Sequence, residues 1–157
     1  MGSETRAAYG ELADQLAALI AGETDLVANT ANMAALLYHG LSELNWAGFY
    51  FARDGELVLG PFQGKPACVR IAWGKGVCGT AAARGRAIVV PDVDAFPGHI
   101  ACDAASRSEL VVPLVAAGRA VGVLDLDSPR LGRFDDVDRA GCEHLVAILL
   151  AHHPDWP

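Results

Sequence analysis

The 157-residue chain has no uninterrupted apolar run of the roughly 18–20 residues that a membrane-spanning helix needs. Its opening MGSETRAAYGELADQL carries acids at helical spacing and lacks the apolar stretch of a secretory signal, so a cytoplasmic location is expected. Basic residues are scarce, with 12 Lys and Arg against 19 Asp and Glu, a net charge of -7. That balance excludes general binding to nucleic acid or to an anionic membrane surface, both of which need a basic footprint. Cysteine is present but unpaired in sequence. Cys68, Cys78, Cys102 and Cys142 form no C-x-x-C, which removes the zinc-knuckle and thioredoxin-type motifs. No repeat or low-complexity tract interrupts the chain.

What is present is a globular composition, 52% hydrophobic and 20% charged, at a length that fits one domain with its own core. Periodicity predicts two opening helices. The first covers residues 4–21, with Ser3 as N-cap and Leu12, Leu16, Leu19 and Ile20 on its apolar face. The second starts at Thr24 and stops at Gly40. The pattern then changes to period two. WAGFYFA and ELVLGPF read as a hairpin around Asp54-Gly55, a third strand is expected near ACVRI, and AIVV is a short strand. GKGVCGTAAARG reads as a glycine loop entering a short helix. ELVVPLVAAGRAVGVLDLDS is the clearest hairpin, turning at Ala116-Ala117-Gly118-Arg119. A helix from Phe134 to about Ala151 closes the chain, capped by Asp135 or Asp136, and HHPDWP at 152–157 is expected to be a loose tail. The order predicts a single α+β domain over 1–157, with its core at about 24–151 and its helices packed on a central antiparallel sheet.

Three groups of residues carry chemistry. Asp125 and Asp127 alternate along a strand, so they project from one face together with Val121 and Val123. Two carboxylates there mark either a strand end leaving the core or a pair that binds an ammonium group or shares a proton. With the turn near 117–119, Glu109 joins them at the open end of the hairpin. Trp46 and Tyr50 share parity on the first strand, as core residues or as walls of an apolar pocket. Cys102, in PGHIACD, is compatible with a filler thiol, half of an H-x-x-C metal site with His99, or a nucleophile. Cys78 follows Gly74-Lys75-Gly76, which lacks the Walker pattern. At a helix start the dipole favours its thiolate. His99 is by default a loop residue, and Asp92, Asp94 and Asp103 are loop acids or turn formers.

GPFQGKPACVRI, GKGVCGTAA, VPDVDAFPGHIACD, SELVVPL and GVLDLDS together resemble the free methionine-(R)-sulfoxide reductases, single GAF-type domains, over about residues 45–150. The resemblance implies reduction of free methionine-(R)-sulfoxide with electrons from thioredoxin, without metal or organic cofactor. It implies that Cys102 is the catalytic cysteine, Cys68 the main resolving cysteine and Cys78 a further redox cysteine. Glu109, Asp125 and Asp127 correspond to the substrate-binding acids, and Trp46 and Tyr50 to the wall around the methyl group. It implies a homodimer, and it leaves Cys142 as core filler. Asp94, where many relatives have histidine, departs from the pattern. A GAF sensor that binds a small ligand without chemistry is the alternative, although such modules usually adjoin an output domain. A lid formed by 91–103 would suit a reaction that must exclude water.

Overall fold

The computed structural model describes residues 4–99 and 104–157. Helix α1 (Arg6–Ile20) and helix α2 (Leu26–Gly40) come first. The strands follow as β1 (Trp46–Arg53), β2 (Glu56–Gly64) and β3 (Arg70–Ala72). Helix α3 (Gly76–Arg84), strand β4 (Ile88–Val90) and a single 3-10 turn (Val93–Ala95) precede the hairpin β5 (Ser108–Ala116) and β6 (Arg119–Ser128). Helix α4 (Asp136–His152) closes the fold.

Helix starts are set by side chains that accept otherwise unpaired N–H groups. Thr5 accepts from Ala8 at 3.1 Å, so the cap of α1 is not Ser3, which lies outside the described residues. Asp25, rather than Thr24, caps α2 by accepting from the Ala28 N–H at 2.9 Å. At α4 the reciprocal pair is complete. Asp135 accepts from the Asp138 N–H at 3.1 Å, and Asp138 accepts from the Asp135 N–H at 2.9 Å. Leu12, Leu16 and Ile20 are buried as the spacing predicts, but Leu19 stands at 46% exposure on the solvent side of α1.

The six strands form one antiparallel sheet in the order β3-β2-β1-β6-β5-β4. Two hairpins fix its register. Asp54 and Gly55 both take positive φ, 49° and 81°, the pair of values that a two-residue turn needs to follow strand twist. Ala117 (φ 53°) and Gly118 (φ 76°) do the same between β5 and β6. Strand β3 begins later than ACVRI suggests. Pro66 has no N–H for a ladder, and the chain is paired only from Arg70.

The sheet divides the interior into two clusters. On one face α1, α2 and α4 cover Phe49, Phe51, Leu124 and Leu126 with Leu16, Met33, Leu37, Leu145 and Leu149. On the other, α3 packs over Tyr50, Val111 and Val123 with Val77, Cys78 and Ala81. Cys142 is wholly buried in the first cluster, with its thiol pushed up to about 12 by burial, in keeping with a filler role. The tail departs from expectation. Trp156 is buried edge-on against Phe51, ring centroids 5.7 Å apart, and the His153 ring meets the Asn29 amide at 2.9 Å. The His152 ring Nε2–H donates to the Glu23 carbonyl at 2.6 Å. The last residues therefore belong to the first core.

Candidate active site

Register places the predicted acids and aromatics in rows across three strands. Trp46 of β1 lies opposite Asp127 of β6, which lies opposite Glu109 of β5. The next row on that face is Gly48, Asp125 and Val111, and the third is Tyr50, Val123 and Pro113. Side-chain period two then directs all of them to the side covered by α3. This register confirms the turn position and the shared face of Val123, Asp125 and Asp127, whereas Val121, expected with them, packs in the helix-side cluster because the ladder is irregular at Leu114/Val115.

Trp46 stacks on Tyr50 with ring centroids 6.0 Å apart, and on Phe62 at 5.2 Å with 15° between planes. Phe62 backs the Trp46 ring, a contact that the sequence reading missed. It pairs directly with Gly48, so the hairpin register was the signal that could have found it. A Cβ at Gly48 would lie 2.3 Å from the Phe62 Cβ and 2.8 Å from the Trp46 ring. Glycine is required there for the rings to close. The Trp46 indole N–H donates to the Lys65 carbonyl at 3.1 Å, and the Tyr50 hydroxyl donates to the Cys68 carbonyl at 2.9 Å. Both bonds tie the aromatic wall to the segment that carries Cys68.

Helix α3 starts at the cleft. Its cap, Lys75, makes no side-chain capping bond, and Gly76, Val77 and Cys78 form its first turn against the acids. Gly79 lets that turn approach β3, since a Cβ would lie 2.4 Å from the Ala72 carbonyl oxygen. The Cys78 sulfur is 4.0 Å from Glu109 Oε2, and His99 Nε2 is 3.8 Å from Glu109 Oε1. Ser106 also lines the cleft and accepts from the Asn45 amide at 3.0 Å. His99, expected as a loop residue of little consequence, is therefore part of the cleft wall. Asp92 is the turn former expected of it, accepting from the Asp94 N–H at 3.0 Å.

Burial dominates the electrostatics. Glu109 is raised well above the usual carboxyl range, first by desolvation and then by the charges of Asp125 and Asp127. Asp125 is also raised by burial, and hydrogen bonds from Glu109 and Cys78 offset part of the effect. The Cys78 thiol is pushed up by burial and by Asp125, Glu109 and Asp127. This corrects the expectation that the α3 dipole favours its thiolate. Three nearby acids in a dry cleft outweigh a partial charge of about half a unit at a helix end. Tyr50 is raised for the same reasons.

Of the cysteines, Cys68 is half-buried and held in a disulfide, while Cys78 and Cys142 carry free thiols. Cys102 and Asp103 lie outside the described residues, so the nucleophile assignment stands as the sequence left it. Among the described residues, no helix is long and apolar enough to cross a membrane.

A six-stranded antiparallel sheet with a buried cleft on one face and three helices on the other fits a class, and residues 23–149 match the model of that class, the GAF domain. Closer relatives narrow it. The chain is 57% identical to the free methionine-R-sulfoxide reductase of Escherichia coli, over 90% of this chain and 86% of that one. It is 63% identical to protein YtsP of Bacillus subtilis, over 83% and 81%. The free methionine-R-sulfoxide reductase of Neisseria meningitidis, solved in complex with its substrate, superposes with a TM-score of 0.92 at 49% identity, covering 97% of this chain and 92% of that one. The chain belongs to the GAF-domain family of free methionine-R-sulfoxide reductases.

Proposed function

We propose that the chain reduces free methionine-(R)-sulfoxide to methionine, with Cys102 as nucleophile, Cys68 as resolving thiol and thioredoxin as the external reductant. The observation that carries the reading is the convergence of Glu109, Asp125 and Asp127 in one cleft lined by Trp46, whose ring is backed by Tyr50 and Phe62. A sulfoxide sulfur becomes electrophilic when its oxygen receives a proton. Glu109, pushed well toward its protonated form, supplies that proton. Asp125 and Asp127 receive the substrate ammonium, whose charge favours their ionised forms. The stacked rings hold the methyl group and exclude water.

The Cys102 thiolate then attacks the protonated sulfoxide sulfur and forms an S–S bond to it; the hydroxyl passes from that sulfur to Cys102 Sγ as the substrate S–O and S–S bonds break, and methionine leaves with the S–S electron pair on its thioether. Cys102 carries away the oxygen as a sulfenic acid. Attack by the Cys68 thiolate expels that oxygen as water and forms a disulfide, which two thiols of thioredoxin reduce by exchange. Cys78, held as a thiol by burial and the acids, is a slow attacker while those acids are charged, which puts it behind Cys68 in recycling. The cytoplasmic location and homodimer expected from the sequence accompany this reading. Fractionation and light scattering check them.

The buried acids also account for a preference for the free amino acid. A peptide-bound residue has no ammonium to offer and would leave carboxylates unpaired. NADPH consumption coupled through thioredoxin and its reductase tests the whole sequence. Cys102→Ser should abolish turnover. Cys68→Ser should still release one methionine per chain and then stall. Full turnover by Cys102→Ser, or equal activity on a peptide sulfoxide, would remove the reading. Tight binding of the sulfoxide without turnover would favour a sensor.

A further inference from the structure

Three groups that the reductase reading uses for substrate and recycling also form a compact donor set in the cleft. The Cys78 sulfur, a Glu109 carboxylate oxygen and an Asp125 carboxylate oxygen all lie within 4.8 Å of one another, and all three residues are buried. The His99 ring nitrogen, 3.8 Å from Glu109, adds an imidazole at the edge of the group. An independent observation points to a missing ligand. Asp125 is only 6% exposed, lines the cleft, and its Oδ1 is buried with no hydrogen-bond partner. Leaving a carboxylate oxygen dry and unsatisfied costs free energy unless something occupies the space.

We infer that the reduced protein binds one divalent transition metal of the Zn2+ type through Cys78, Glu109 and Asp125, and that the metal excludes the substrate. A thiolate beside carboxylates suits zinc, whereas Mg2+ and Ca2+ select oxygen donors alone. The geometry is close to what is needed. In a tetrahedral site, zinc–ligand bonds of about 2.0–2.3 Å separate the donors by roughly 3.5 Å. The 4.0 Å between Cys78 and Glu109 therefore needs only a small inward movement. A bound cation would sit among the carboxylates that register brings together at this end of the sheet. A metal there occupies the place of the substrate ammonium. The site itself rests on geometry alone; the inhibition rests on the reductase reading.

Cobalt is the probe. Titrating the fully reduced chain with Co2+ should fill one site and produce a sulfur-to-cobalt charge-transfer band. The band should persist in Cys68→Ser and disappear in Cys78→Ser. Asp125→Asn should weaken Co2+ binding on the order of 100-fold, since losing a direct ligand costs at least as much as losing a supporting one. Free methionine, which brings an ammonium but no oxidant, should displace the metal. Circular dichroism establishes that each variant is folded. Should one unfold, X-ray absorption of the zinc-loaded native protein answers instead, with one sulfur neighbour expected. Absence of binding, a band that survives Cys78→Ser, or a zinc shell without sulfur would overturn the proposal. The two readings fail separately. A chain that turns over sulfoxide but binds no cobalt loses the metal site and keeps the reductase. One that binds cobalt through Cys78 but shows no turnover keeps the site and loses the reductase.

Discussion

Glu109→Gln should make the protein less active and, above acidic pH, more stable, and the two effects share one cause. In the folded chain, burial and the charges of Asp125 and Asp127 hold the Glu109 proton well above the ordinary carboxyl value of 4.5. In the unfolded chain, that proton is lost at about the ordinary value. Stability from this group is therefore fully present below the unfolded pKa, and it declines as pH rises toward the folded one. Between those limits the native state holds one more proton than the unfolded state. Linkage then sets the slope at about 1.4 kcal/mol lost per pH unit, or about 3 kcal/mol across two units. Glutamine keeps the shape and one donor but has no proton to lose. Urea unfolding of both proteins, from about pH 5 to about pH 7, isolates the acid cluster, because titrations outside Glu109, Asp125 and Asp127 cancel in the difference. Wild-type stability should fall relative to the variant along that range, while turnover of the sulfoxide collapses in the variant. A flat difference, or a wild type that gains on the variant as pH rises, would mean that the folded protein prefers ionised Glu109. It would then have no proton there to give to a sulfoxide.

Three further substitutions separate wall, recycling and scaffold. Tyr50→Phe removes the hydroxyl that donates to the Cys68 carbonyl and should cost about 1 kcal/mol in denaturant unfolding. In rapid-quench experiments it should slow disulfide formation more than the first release of methionine. Gly48→Ala forces a methyl group against Phe62 and Trp46, and overpacking of this kind costs about 1–3 kcal/mol. Its KM should rise more than its kcat falls, because the displaced rings form the binding wall. Ala117→Asn places a residue that tolerates the left-handed conformation at φ 53° and should gain about 0.5–1 kcal/mol in thermal or urea unfolding, with activity unchanged at the far end of the hairpin.

Much of the site was legible because strand parity is a local property. Alternation in VGVLDLDS put Asp125 and Asp127 on one face, and the Ala117-Gly118 turn then fixed Glu109 opposite Asp127. Other features depend on what folds over them. The state of Cys78 is set by acids 31 and more residues away on other strands, so its place at a helix start gave the wrong direction. His99 and Phe62 gain their roles only through neighbours on other segments. The tail misled for the same reason: HHPDWP has the composition of a loose end, yet Asn29 and Phe51 hold it. The start of β3 was misjudged because Ala67 and Cys68 have strand-like composition, while the ladder begins only at Arg70.

The alternation of β6 also makes its chemistry a guard on its own alignment. Leu124 and Leu126 face the helices, while Asp125 and Asp127 face the cleft. Sliding this strand by one residue would drive two carboxylates into a dry leucine layer and bring two leucines to the substrate. A mispaired sheet is thus penalised most heavily at the positions proposed to hold the substrate. Point changes at 125 and 127 are readily accommodated by the fold, whereas a single-residue insertion or deletion between Gly122 and Asp127 is not. In a library of variants, tolerance along this strand should therefore separate by type of change: substitutions at the aspartates erase activity from folded protein, and length changes erase the protein itself.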